Sequence, residues 1–404
     1  MLALQIIFWI LFVLIFYTYL GYGLIVSIYI KLGGGRKSGK SQPFSEKRFP
    51  KVAVIVAAYN EQEFIKEKIA NTFELEYPSD RKTVIIITDG STDATASIVR
   101  AAAENNDIIH LHKDERTGKA VAINRAVAFA NDSEILVFSD ANSLLNPGAI
   151  ISIAQQYKDP AVGGVAGEKK VISNNEKSFH GKGEGLYWKY ESAHKKIDSD
   201  FYTVVGAAGE LFSVRKDLFE EIPGDIILDD FLVSMGVCRK GYVVAYEPQA
   251  FAMETPSLSI ADEQRRKVRI SAGSFQAMSR LKELFNIFRY GKLSFQFISR
   301  RALRWAICPF ALPLLLLVNI LIILTGNYDR NFYFFFGIAQ ILFYVVALIG
   351  WMFASGNSRN LRLFYIPFYF VFMHAAVWAG LFRFLKGEQS AVWEKSSRYV
   401  SNSV

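Results

Sequence analysis

The chain opens on a long apolar stretch. Residues 2–30 contain no charged side chain, and Lys31, Arg36, Lys37, Lys40, Lys47 and Arg48 follow. About 20 apolar residues suffice for a transmembrane helix, so the stretch predicts a spanning anchor. A cleaved signal peptide carries its cations before a shorter apolar core; here they come after a long one, which favours an uncleaved anchor. The same cations place the next segment in the cytoplasm and the N-terminus outside. Three more apolar runs, residues 306–324, 332–355 and 363–385, are each long enough to span. Arg300, Arg301 and Arg304 before the first of these, and Arg359 and Arg362 after the second, again fit a cytoplasmic side. Four spans return the C-terminus to the outside, whereas Arg383, Lys386, Lys395 and Arg398 favour the inside, so the two rules conflict there. Residues 275–304 mix aromatic and basic side chains, which suits interfacial amphipathic helices or a helix packed on the soluble domain.

Between the anchors the pattern alternates. Val52–Ala58 is a β-branched run ending at Tyr59-Asn60-Glu61, and helical spacing follows through Phe64, Ile65, Ile69 and Phe73. A second strand over 83–88 ends in Asp89-Gly90-Ser91-Thr92-Asp93 and leads into a helix over 94–104. A helix over 118–130 precedes a strand over 134–139 that stops at Asp140. The alternation predicts an α/β domain with a mostly parallel, Rossmann-like sheet and helices on both faces. In such sheets ligands bind beyond the carboxyl ends of the strands, where the polar clusters fall.

Composition sharpens this picture. An apolar fraction of 51% and 33 Phe in 404 residues exceed what a soluble core needs, so part of the chain belongs in lipid. The net charge of +8 fits contact with anionic phosphates or lipid, and equally the positive-inside rule alone. The two cysteines, Cys238 and Cys308, have no metal-ligand spacing, which leaves no basis for a disulfide framework or a structural zinc site.

Five clusters carry candidate chemistry. Asp140-Ala141-Asn142 offers hard oxygen ligands at a strand end, suited to a divalent cation held against a pyrophosphate; a turn or helix cap is the plainer alternative. Asp89 is placed to accept from a nucleobase N–H, or to cap the next helix. Lys119 opens a helix after Gly118, where a cation and free N–H groups meet phosphate, although the Walker spacing is absent. Asp229-Asp230 supplies paired carboxylates, one of them a candidate general base. Arg265, Arg266, Lys267 and Arg269 are the densest cation cluster, for a diphosphate leaving group or for anionic lipid.

Taken in order, these motifs resemble family 2 glycosyltransferases of the processive membrane type, the group of cellulose, hyaluronan, chitin-oligosaccharide and poly-N-acetylglucosamine synthases. The resemblance implies a GT-A catalytic domain at 51–274. It would lie between an anchor at 1–30 with a basic linker at 31–50, and interfacial helices at 275–304, three spans at 305–387 and a tail at 388–404. It implies an inverting, multi-pass enzyme of the inner (plasma) membrane with a cytoplasmic catalytic domain and Mg2+ or Mn2+. The donor would be a nucleotide-diphosphate sugar, UDP-linked, and the acceptor a carbohydrate or a lipid-linked one. Accessory export subunits are among the implied partners, and nucleic acid is not.

By the same resemblance Ala58, Tyr59, Glu61 and Asp89 hold the nucleotide, and Lys119 lies near the diphosphate. Asp140 and Asn142 match the Asp-x-Asp metal site, and the diphosphate also meets Arg266 and Arg269. Gly206-Ala207-Ala208-Gly209 with Arg215 matches the acceptor loop, and Asp230 is the general base with Asp229 its neighbour. The last motif departs from the pattern: Arg266 stands in place of Gln and Ile270 in place of Trp. Ile270 cannot supply the aromatic platform for an acceptor sugar, leaving Tyr187, Trp188 or Phe275 as candidates. Transfer of a single sugar to a lipid acceptor is the rival expectation.

Overall fold

The computed structural model describes residues 2–36, 49–171, 179–255, 259–325, 330–354 and 362–387. Most of the basic linker expected at 31–50, the tail at 388–404, Arg359 and the Tyr187 side chain lie outside the described residues. The chain divides into two compact units, Met1–Leu32 with Asn175–Leu186 and Ser259–Glu388, and Gly33–Asn174 with Tyr187–Leu258 and Gln389–Val404.

Among the described residues of the first unit, Leu2–Gly34, Lys292–Thr325, Asn331–Phe353 and Phe364–Leu385 are helical stretches long and apolar enough to cross a membrane. Ile6, Trp9, Ile10 and Val13 stay exposed on the first of them, a face that lipid would solvate and water would not. Leu2–Phe16 packs on Cys308–Thr325 through Phe8, Leu315, Val318 and Ile322, with Tyr333 joining the cluster. The stretch beginning at Lys292 starts well before the apolar run at 306, because a π-helical segment, Ile298–Ile307, carries the helix through three arginines. Residues 275–304 accordingly comprise the end of the helix Ile260–Arg280, the turn Lys282–Phe285, the short helix Ile287–Tyr290 and the first turns of that stretch. Ile260–Arg280, capped by Ser259 Oγ accepting from the Asp262 N–H, groups with this unit.

The second unit is built on one sheet. Its strands are β1 (Val52–Ala58), β2 (Lys82–Asp89), β3 (Ile108–Lys113), β4 (Ile135–Asp140), β5 (Ser143–Leu145), β6 (Val162–Val171), β7 (Phe212–Arg215) and β8 (Val243–Glu254). The order is β3-β2-β1-β4-β7-β6-β8-β5. The β3-β2-β1-β4 half is wholly parallel, as the alternating pattern predicts. β7 then runs antiparallel to both β4 and β6, β8 is parallel to β6, and β5 is antiparallel to β8. All seven residues of β1 are buried because helices cover both faces, which is why it reads as an unbroken apolar run. Val52, Val54, Val56 and Ala58 enter one core with Ile65, Ile69, Ile86, Val137 and Ile153. The register sets Ala58 beside Thr88 and Ala57 beside Asp140, so β1, β2 and β4 deliver Tyr59, Asp89 and Asp140 to one edge.

Candidate active site

At the end of β2 the Asp89 carboxylate is fully engaged. Oδ2 accepts from the backbone N–H groups of Thr117 and Gly118, both at 2.8 Å, and Oδ1 accepts from Thr117 Oγ1 at 2.6 Å and Arg125 Nη2 at 3.2 Å. An ionised carboxylate offers about four acceptor positions, and these donors fill them. Asp89 therefore fastens the loop ahead of Lys119. The base-contacting role inferred from the sequence would require it to release one of these partners. Gly90 takes φ 65°, and a Cβ there would lie 2.5 Å from Arg116 Cβ, so only glycine lets that loop cross so closely.

The crossing puts the Arg116 guanidinium 3.7 Å from the centre of the Tyr59 ring, while its Nη2 is buried without a hydrogen-bond partner. The sequence reading gave Arg116 no role; the stack needs the β1 and β2 ends to be neighbours, which only the fold supplies. Asn60, at φ 53°, ties the same edge together by accepting from the Thr92 N–H at 2.8 Å. Ala58 and Glu61 are buried, and the Glu61 N–H donates to Thr95 Oγ1 at 2.8 Å.

Lys119 is the hub of the acidic groups. Its Nζ lies 2.7 Å from Asp140 Oδ1 and 3.7 Å from Asp229 Oδ2. Burial alone would disfavour the ammonium, but Asp140, Asp229 and Asp230 outweigh it and hold the amine protonated well above the usual lysine range. Asp229 and Asp230 begin the helix Asp229–Arg239, where acids suit the helix dipole. Asp230 Oδ1 accepts from the Phe231 N–H at 2.7 Å. Burial, then the neighbouring Asp229, push the Asp230 carboxyl up to about 7, against the opposing pull of Lys119 and the Phe231 N–H. A carboxylate poised there is matched to taking a proton near neutral pH.

Gly209 stands at the meeting point of these groups. A Cβ on it would lie 3.3 Å from Lys119 Nζ, 3.4 Å from Asp230 Oδ2 and 3.8 Å from Asp140 Oδ2. The loop 206–209 is thus the floor of the acidic cluster, and a bare backbone keeps that space open.

Whether these residues fit a divalent cation turns on their oxygen donors. Asn142 Oδ1 is buried with no hydrogen-bond partner, an amide oxygen left free for a ligand, and it stands two residues from Asp140. One carboxylate and one amide oxygen suit Mg2+ or Mn2+ when the substrate's phosphate oxygens complete the shell. Among the described residues no group of three or more His, Cys, Asp and Glu stands ready to hold a metal.

The cations of the 265–269 cluster lie in the first unit, on Ile260–Arg280. Arg266 Nη1 is 3.7 Å from Glu263 Oε2, and Arg269 and Ile270 are half-buried. Arg215 serves the framework, donating to the carbonyls of Val162 and Tyr157 at 2.8 and 2.9 Å. Of the aromatic candidates, Trp188 has Lys169 Nζ 4.8 Å from its ring centre, and Phe275 stacks on Phe384 at 6.2 Å.

Residues 53–223 match the family model described as glycosyl transferase family 2. The chain carries a family 2 glycosyltransferase domain. That domain holds the β1 and β2 ends, Lys119, Asp140 and Gly209, while Asp229 and Asp230 lie just beyond the matched residues. The chain is 28% identical over 237 residues to a poly-beta-1,6-N-acetyl-D-glucosamine synthase of Staphylococcus aureus, covering 57% of this chain and 56% of that protein. It thus spans little more than half the length of that relative. A synthase of the same name from Staphylococcus epidermidis is 25% identical over 295 residues, 70% of each chain. Among solved structures, a mannosyltransferase of Pyrobaculum calidifontis in complex with GDP-Man and Mn2+ has the same fold, with a TM-score of 0.72 over 95% of this chain and 99% of that one, at 22% identity.

Proposed function

We propose that the protein is a membrane-embedded, inverting glycosyltransferase. It moves a sugar, N-acetylglucosamine or a related hexose, from a UDP-linked donor to a hydroxyl of a growing β-linked oligosaccharide or polysaccharide on the cytoplasmic side. The observation that carries this reading is the convergence of Lys119, Asp140, Asp229 and Asp230 around Gly209, with Asp230 raised to about 7. The family 2 domain and the synthases to which the chain is similar support it.

In this mechanism the nucleotide lies along the β1 and β2 ends, its base on the face made by Tyr59 and Arg116. Asp140 and Asn142 would hold Mg2+ or Mn2+, which supplies charge neutralisation at the donor's diphosphate. Lys119 holds Asp140 and Asp229 in place and adds its own positive charge beside the leaving group. The acceptor hydroxyl lies over Gly209, and Asp230 removes its proton as the oxygen attacks the anomeric carbon. The new C–O bond forms on one face while the bond to the diphosphate breaks on the other, so the configuration inverts with no covalent sugar on the protein.

The test is incubation of the reconstituted full chain with radiolabelled nucleotide sugars, reading released nucleotide and product size. A ladder or a long chain from a UDP-linked amino sugar is the expected result. One chloroform-soluble glycolipid would establish single addition instead, and no nucleotide release from any donor would overturn the reading.

A further inference from the structure

Behind the acidic cluster lies a lysine that this mechanism does not use. Lys68 is fully buried, and its Nζ donates to Ser139 Oγ and to the Ser143 carbonyl, both at 2.7 Å. It has no carboxylate within ion-pair distance among the described residues. Burial pulls the amine down to about 7 in spite of the nearby charge of Asp140, so the site disfavours the ammonium form. An apolar side chain would fill the position more cheaply, since Ile65, Lys68, Ile69 and Thr72 form the buried stripe of the helix Ile65–Phe73.

What the amine grips explains its retention. β4 ends at Asp140 and β5 begins at Ser143, so only Ala141 and Asn142 join them. Ser139 and Ser143 flank that link, and Lys68 holds one atom on each side of it. The Ser139 hydroxyl passes the contact on to the Glu210 carbonyl at 3.1 Å, beside Gly209, and Ser143 Oγ donates to the Asp140 carbonyl at 2.9 Å. One buried amine thus ties together the turn bearing Asp140 and Asn142 and the loop that floors the site.

We propose that Lys68 is a positioning residue that staples both ends of the Asp140–Asn142 turn, fixing the two oxygen donors for a divalent cation and holding them in register with the loop at Gly209. This rests on the glycosyltransferase reading only for the cation; the staple itself does not depend on it. Groups that orient metal ligands typically change metal affinity by about 10- to 100-fold when removed.

The test uses the full chain in nanodiscs and the variant Lys68→Met, which keeps length and removes the donors. Hydrogen exchange is read on peptides spanning 139–146 and 206–211, and Mn2+ affinity by electron paramagnetic resonance with UDP present. The expected result is at least about tenfold faster exchange confined to those peptides, and Mn2+ binding weakened about 10- to 100-fold while UDP alone binds within about twofold of wild type. Unchanged exchange at the turn together with unchanged Mn2+ affinity would overturn the proposal, even if the melting point drops. Should Lys68→Met unfold globally, Ser139→Ala removes one of the two acceptors and must give the same local signature in weaker form; its absence overturns the staple. If wild type binds no Mn2+, the metal reading falls, and exchange at the turn still decides the role of Lys68.

Discussion

Asp89 and Asp230 are both strand- or helix-end carboxylates in the second unit, and their surroundings give them opposite uses. Asp89 has every acceptor position filled by a backbone N–H, a hydroxyl or a guanidinium, so its charge is spent on holding the 117–118 loop. Asp230 receives one backbone N–H, sits beside another acid and is poorly solvated, so its charge is costly and available. A saturated carboxylate builds the site, whereas an under-served one can do proton chemistry.

Removing the available charge should have the largest effect. Asp230→Asn should lower the transfer rate roughly a hundred- to ten-thousand-fold while UDP binding persists, measured by nucleotide release and by calorimetry. Near-normal turnover would end the distinction between the two acids. Because the folded-state pKa of Asp230 is raised from 3.8 to about 7, the fold favours its protonated form, and this group's contribution to stability declines as pH rises through that range. Asp230→Asn should therefore melt higher than wild type at pH 8, with the advantage vanishing near pH 4.

Asp89→Asn should behave in the contrary way. It keeps the shape but cannot accept from all four donors, so it should lose about 1.5–3 kcal/mol of stability in denaturant titration. UDP binding should weaken with it through the loosened Arg116–Tyr59 stack. Full stability in that variant would mean that the four contacts are dispensable. The smallest effect is the finest test. With Asp230 as the proposed base, activity should fall below about pH 7. In Asp229→Asn, with the repelling neighbour gone, that acid limb should move to lower pH; an unmoved limb would assign it to another group.

Three strands of the parallel half, β1, β2 and β4, were legible because each carries its own period; β3 was not, since its half-buried residues Ile108–Lys113 interrupt the apolar run with His110 and His112. Val52–Ala58 is buried on both faces and reads as a continuous apolar run, and the helices that follow the strands keep an amphipathic stripe. The half from β5 to β8 was not, since short or bulged strands such as β5, with three residues, and β7, with four, leave no measurable period. Asp140, Asp229 and Asp230 stood out as acids at element ends. Lys68 carried one faint signal, a lysine on an apolar helical stripe, and Arg116 carried none.

The order of residues by itself determined four membrane-length apolar stretches, an α/β domain between them, and which acids end strands, because hydrophobic period and turn chemistry are local properties. Only the tertiary structure decided which acid is saturated and which is exposed to its neighbours. That choice depends on donors supplied from 28 to 36 residues away for Asp89, and on a lysine reaching across from another helix for Asp140 and Asp229. A carboxylate's chemistry is set by the dipoles and charges around it, and those are assembled by packing.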